Sequence, residues 1–289
     1  MDERSALGLL GERLGHAGDD TAVVDGLAIT TDMLHETTDF PEGTTRYTAG
    51  WRAVGASLSD VAAMGAEAVA AVAVYAAPAF EAEALGSFVD GACDVCAGAD
   101  AEYVGGDLDT HEEFTVATTA VGRTDEPVLR SGATEGDAVC VTGTLGRSAA
   151  ALELFARGET ERANELFRFE PRVAAGRALA GRATAMMDSS DGLARSLHQL
   201  AAASGCGFAV ESPLPVDDSV AELAENEAER REMGAFFGED FELVCTIPEG
   251  ELSAAREASP TPITRIGTVV AEGVTLDGEP LPDLGYTHE

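Results

Sequence analysis

The chain has 289 residues, enough for two domains of roughly 150 residues each. It sets 18 basic side chains, all of them arginine, against 52 acidic ones, for a formal charge of −34. The absence of lysine excludes Walker A and protein-kinase phosphate sites and any Schiff-base or pyridoxal chemistry, while the negative charge excludes non-specific nucleic-acid binding and disfavours anionic membranes.

In chain order, residues 3–15 predict a short helix with two acids and no basic stretch before it, unlike a signal peptide. A loop with Asp19 and Asp20 follows. Residues 27–33 alternate as a strand, 48–66 have helical spacing, 68–77 predict a buried strand, 78–99 a helix, and 101–109 and 114–122 two strands. The polar stretch 123–137 predicts the boundary between an N-terminal domain (1–130) and a C-terminal domain (131–289). Beyond it the pattern reads strand 137–143, helices 147–158 and 171–181, strand 184–188, helix 192–205, strand 208–212, helix 217–234, strand 239–248, a short helix and strand 263–270. Strands alternating with helices predict an α/β (α+β) fold in both halves. No run of 18 apolar residues predicts a membrane span. Five scattered cysteines predict reduced thiols in a cytoplasm, and the lone Cys93-x-x-Cys96 has no second pair to complete a zinc site. With 45% hydrophobic residues among the acids, the chain reads as a folded protein with an acidic coat suited to high salt.

The informative acids sit where an acid is locally unfavourable. Asp19 and Asp20 precede an apolar run, and Thr30 and Asp32 share one face of their strand while Thr31 points the other way. Asp60 lies near the C-terminal end of its helix, where the macrodipole costs about 0.3–1 kcal/mol. Asp107 follows two glycines, and Asp188 and Asp191 flank a strand-to-helix turn. Each one alone is ordinary turn or cap chemistry. As a convergent set they would repel and require a cation, and an oxygen-only set suits Mg²⁺.

The segments GDDTAVV, TTDM, GWRAVGASLSDVAAMGA, GGD, GTLG, MDSSDGL and GEDFEL, in this order, resemble the thiamine-monophosphate kinases, a family related to aminoimidazole ribonucleotide synthetase, selenophosphate synthetase and a hydrogenase maturation factor. The resemblance implies ATP-dependent phosphorylation of thiamine monophosphate to thiamine diphosphate. It also implies a homodimer whose N-terminal mixed sheets pair into a barrel, with a layered α/β C-terminal domain. It implies several Mg²⁺ ions at Asp19, Asp20, Thr30, Thr31, Asp32, Asp60, Asp107, Asp188 and Asp191, with K⁺ as a further candidate. ATP contacts carry over to Gly106, Asp107, Ser190 and Arg147, and to Val89 where the family has tyrosine. Substrate contacts carry over to Gly238, Glu239, Asp240 and Tyr286, and to Asp39 where the family has histidine. Two alternatives remain open at this point: another ATP-dependent member of the superfamily, or a non-enzymatic acidic protein that binds divalent cations.

Overall fold

A computed structural model describes residues 10, 11 and 13–285. The helix expected over 3–15 therefore lies largely outside the described residues, and Tyr286 lies wholly outside them. The first half builds a five-stranded sheet from β1 (Ala22–Val24), β2 (Leu27–His35), β3 (Glu67–Ala77), β4 (Glu102–Thr110) and β5 (Thr115–Arg123), in the order β1-β2-β5-β3-β4. All pairings are antiparallel except β3 with β4. The alternation expected of β2 is present: Ala28, Thr30 and Leu34 are buried, whereas Ile29, Thr31 and Met33 are exposed.

Between β2 and β3 run the short α1 (Glu36–Asp39) and the long α2 (Arg46–Ala63), which lies across the inner face of the sheet. Helix α3 (Ala82–Gly98) crosses α2 so closely that a Cβ at Gly50 would sit 2.1 Å from the Phe88 carbonyl oxygen, and one at Gly91 would sit 2.0 Å from that of Tyr47. These two glycines set the depth of the crossing.

The second half carries a seven-stranded mixed sheet of β6 (Ala138–Thr142), β7 (Ala185–Asp188), β8 (Gly207–Val210), β9 (Leu243–Ile247), β10 (Ile263–Val270), β11 (Val274–Leu276) and β12 (Glu279–Pro280), ordered β12-β11-β8-β10-β6-β9-β7. Strands β6, β7 and β9 are buried at every position, which is why they read as unbroken apolar runs. One core holds Ala138, Cys140, Met186 and Cys245 of these strands together with Val61 and Met64 at the end of α2, so the two halves share it. The opposite face of β6, Val139 and Val141, packs with Leu193 and Leu197 of α7 (Leu193–Ser204).

Around the second sheet lie α4 (Arg147–Ala156), α5 (Thr160–Phe167), α6 (Val173–Leu179), α8 (Asp218–Leu223), α9 (Glu227–Ala235) and α10 (Leu252–Ala258). The single helix expected over 217–234 is two helices, because the chain breaks at residues 224–226 and Asn226 restarts it by accepting the Glu229 amide. The strand expected from 239 starts only at Leu243, since Glu239 and Phe241 adopt positive φ angles of 61° and 54° in a tight turn. Helices α1 and α5 and strands β1, β11 and β12 are additions to the sequence reading.

Candidate active site

Three carboxylates meet where the two sheets adjoin. Asp20 arrives from the loop before β1, Asp60 from the last turn of α2, and Asp188 from the end of β7. They offer oxygen atoms that all lie within 4.8 Å of one another. At that separation each pair of ionised groups repels by about 3 kcal/mol at an effective dielectric of about 20. Burial pushes the Asp188 carboxyl up to about 7, and Asp20 adds to the rise. Burial also pushes Asp60 well above the usual carboxylate range, with Asp32, Asp188 and Asp20 acting in the same direction. Asp32 is raised by burial and partly relieved by Ser57.

Hydroxyl groups hold these acids in place. Thr30, on the inner face of β2, donates to Asp60 Oδ2. The Ser57 hydroxyl donates to Asp32 Oδ2 at 2.6 Å, and that of Ser59 to Asp188 Oδ2 at 2.8 Å. Only oxygen donors converge here, and the carboxylates cannot all ionise together without positive charge, which fits a hard divalent cation such as Mg²⁺.

One cation of the chain already reaches this junction. The Arg130 guanidinium pairs with both oxygens of Asp20, at 2.9 and 3.1 Å, and its backbone amide donates to Asp19 Oδ1 at 2.8 Å. One residue of the inter-sheet segment thus holds both acids of the GDD loop. The sequence reading missed Arg130, Ser57 and Ser59. Ser57 and Ser59 lie within SLSD, whose aspartate alone drew notice, and Arg130 has no local signal because its partners are 110 and 111 residues away.

The remaining expected positions separate into groups. Thr31 lies on the outer face of β2 and donates to the Thr118 carbonyl at 2.8 Å, so its hydroxyl is turned away from the junction. Asp191 and Ser190 lie in the turn after β7, where the Ser190 carbonyl accepts the Glu239 amide at 2.6 Å. Asp107 is exposed on β4. Two strands separate β4 from β2, a span of about 14 Å at ordinary strand spacing, so Asp107 does not join the acids of its own chain. It lines, with Gly106 and Val89, a separate cavity of 450 Å³ between α3 and β4. Arg147 opens α4, where its charge helps hold Asp217 below the usual range, an effect smaller than the hydrogen bonds from Ser219 and Thr144.

Two of the five expected substrate residues meet at one cavity. Asp39 and Glu239 line one cavity of 130 Å³ with Phe40, Phe167 and Phe237. Asp39 Oδ2 accepts the His35 amide at 2.7 Å and the Thr38 hydroxyl at 2.8 Å. Gly238, at φ 86°, packs so tightly that a Cβ would sit 2.6 Å from the Ser190 carbonyl oxygen. Asp240 is not open to this cavity: its carboxylate accepts the Gly146 and Ser148 amides and so caps α4, and burial pushes its pKa up to about 7 against those two hydrogen bonds.

Residues 18–124 match the family described as AIR synthase related protein, N-terminal domain, and residues 134–278 match its C-terminal domain. The chain is 62% identical to a thiamine-monophosphate kinase of Halobacterium salinarum, with both chains covered in full. It is 40% identical to that of Methanospirillum hungatei, over 100% of this chain and 99% of the other. A solved structure described as AaThiL complexed with AMPPCP and TMP superposes with a TM-score of 0.90 at 30% identity, covering 100% of this chain and 97% of that one. A hydrogenase maturation protein HypE in complex with ATP shares the fold, with a TM-score of 0.74 at 21% identity over 97% of this chain and 90% of that one.

Proposed function

The chain belongs to the thiamine-monophosphate kinase family, and from that membership we propose that the acidic junction carries in-line transfer of the γ-phosphoryl group of ATP to the phosphate of thiamine monophosphate. The observation that carries this reading is the convergence of Asp20, Asp60 and Asp188 between the two sheets. Mg²⁺ would be held by these three carboxylates with Thr30 and Asp32, and when bound it supplies charge neutralisation for two polyanions that otherwise repel.

The acceptor phosphate is already ionised near neutral pH, so the chain supplies no general base. Its residues act by position. Thr30, Ser57 and Ser59 fix the carboxylate oxygens, and among the described residues Arg130 is the arginine paired to the acidic trio, whose guanidinium would meet a phosphate oxygen there. Asp39 and Glu239 would face the organic part of the acceptor, whose thiazolium ring is cationic. Turnover belongs in a salt-rich cytoplasm, with K⁺ as the screening ion.

The active unit is a homodimer. The outer face of the first sheet leaves Ile29, Met33, Val72, Val74 and Val104 exposed, an apolar surface of the kind that monomers bury. A second copy laid on it would bring the partner's Asp107, which shares this face with Val74, toward Thr31. The test is product identification with Mg-ATP and thiamine monophosphate in molar KCl. Thiamine diphosphate and ADP are expected, and Asp32→Asn or Asp60→Asn should each lower turnover by about a hundredfold or more with the fold retained. Near-wild-type rates from both variants would refute the reading.

A further inference from the structure

Arg52 is among the most deeply buried side chains of the protein, 2% exposed on α2. Its guanidinium lies 3.6 Å from the centre of the Phe167 ring, with Phe169 and Phe241 at 5.3 and 5.6 Å. It donates to the Phe167 carbonyl at 2.6 Å and to the Ser148 hydroxyl at 3.3 Å, and forms an ion pair with Glu239 Oε2 at 2.5 Å. Ser148 in turn donates to the Glu239 carbonyl at 2.6 Å. The side chain therefore ties the first half of the chain to the ends of α4 and α5 and to the turn at 238–241.

That turn needs holding. Glu239 and Phe241 both occupy the left-handed region, which non-glycine residues adopt at a cost unless their surroundings enforce it. Glu239 also shares its 130 Å³ cavity with a second carboxylate, Asp39, while Asp240 lies behind it. With no cation, Glu239 would swing away from Asp39 or out of the turn.

We propose that Arg52 is a positioning residue that clamps one carboxylate oxygen of Glu239, fixes the 238–241 turn and aims Glu239 into the cavity it shares with Asp39. Arginine is suited to this because its planar fork reaches acceptors on three segments from two separate nitrogens, whereas a lysine ammonium is a compact point charge that cannot span them. The proposal rests on the reading that this cavity takes the organic part of the phosphate acceptor.

The test compares wild type with Arg52→Lys, Arg52→Met, Glu239→Gln and the Arg52→Met/Glu239→Gln double variant in molar KCl. It measures KM for thiamine monophosphate and for ATP separately, and the affinity for thiamine monophosphate without ATP by titration calorimetry. Arg52→Met should raise the acceptor KM and Kd by about tenfold or more while the ATP KM stays within about twofold, and Arg52→Lys should fall between it and wild type. The double variant should be no worse for the acceptor than Glu239→Gln alone, because Arg52 acts through Glu239. A role in stability alone would lower the melting temperature and leave the acceptor constants of the folded enzyme unchanged. That result, or effects of Arg52→Met and Glu239→Gln that multiply, overturns the proposal. If Arg52→Met does not fold, the KM split of Arg52→Lys decides. Failure of wild type to phosphorylate the acceptor would instead overturn the functional reading, and the calorimetric arm would still judge Arg52.

Discussion

Replacing Asp188 by asparagine should make the metal-free protein more stable and inactive at the same time. In the folded chain its carboxyl is pushed from 3.8 up to about 7, so between those values the folded state holds a proton that the unfolded state has released. Stability of the metal-free protein therefore falls as pH rises through this window, and a shift of about three units corresponds to about 4 kcal/mol lost by pH 8. Asp188→Asn keeps the shape and can still accept from Ser59, but has no charge to bury. At pH 8, with divalent ions chelated and molar KCl present, the variant should melt on the order of 10 °C above wild type. Its melting temperature should also change less between pH 5 and pH 8. Saturating Mg²⁺ should raise the melting temperature of wild type and not that of the variant. A variant that melts at or below wild type at pH 8, with an unaltered pH slope, would refute the claim that Asp188 is a buried carboxylate awaiting a cation.

Three further outcomes follow from the geometry. Melting temperature should rise between 0.1 M and molar KCl, since the screening length falls from about 10 to about 3 Å and the −34 charge repels itself less; scanning calorimetry at fixed pH checks it, and a flat response would contradict an acidic coat that opposes compaction. Co-expression of Asp60→Asn and Asp107→Asn chains, each inactive alone, should recover up to about a quarter of wild-type turnover, because half the dimers are mixed and each mixed dimer has one intact site; no recovery in purified mixed dimers would place Asp107 outside the partner's site. Gly91→Val should cost about 3 kcal/mol or more in denaturant unfolding, because its side chain would meet the Tyr47 carbonyl where α2 and α3 cross.

What could be read from the sequence was whatever has a local period or a local oddity. The alternation of β2 placed Thr30 and Asp32 on one face before any fold was in view, and the positions of Asp20, Asp60 and Asp188 beside apolar runs marked them as exceptions to the coat. What could not be read depends on chain distance. Asp240 looks like a ligand residue in GEDFEL, but the α4 amides it caps are 92 and 94 residues away. Asp107 looks like a member of the same acidic set, but β5 and β3 lie between its strand and β2. Arg130 carries no motif of its own and acquires meaning only when the inter-sheet segment folds back on the GDD loop.

Two of the buried arginine contacts give the lysine-free composition a structural sense. An acidic coat needs no specific cation, because dissolved K⁺ serves every exposed carboxylate alike. Two less accessible acids are different: the Asp20 side chain is wholly buried, and that of Glu239 is 19% exposed in the small cavity it shares with Asp39. Each is met instead by an arginine from a different part of the chain, Arg130 from the inter-sheet segment and Arg52 from α2. A guanidinium is weakly hydrated, stays charged when buried and can serve several acceptors. The pairing also divides labour along the proposed site, with Arg130 at the phosphate end and Arg52 at the organic end. If that division is right, Arg130→Met should weaken ATP-dependent turnover and divalent-ion response while sparing acceptor affinity, the reverse of Arg52→Met. Two variants with the same kinetic signature would mean that both arginines serve only to hold the halves of the chain together.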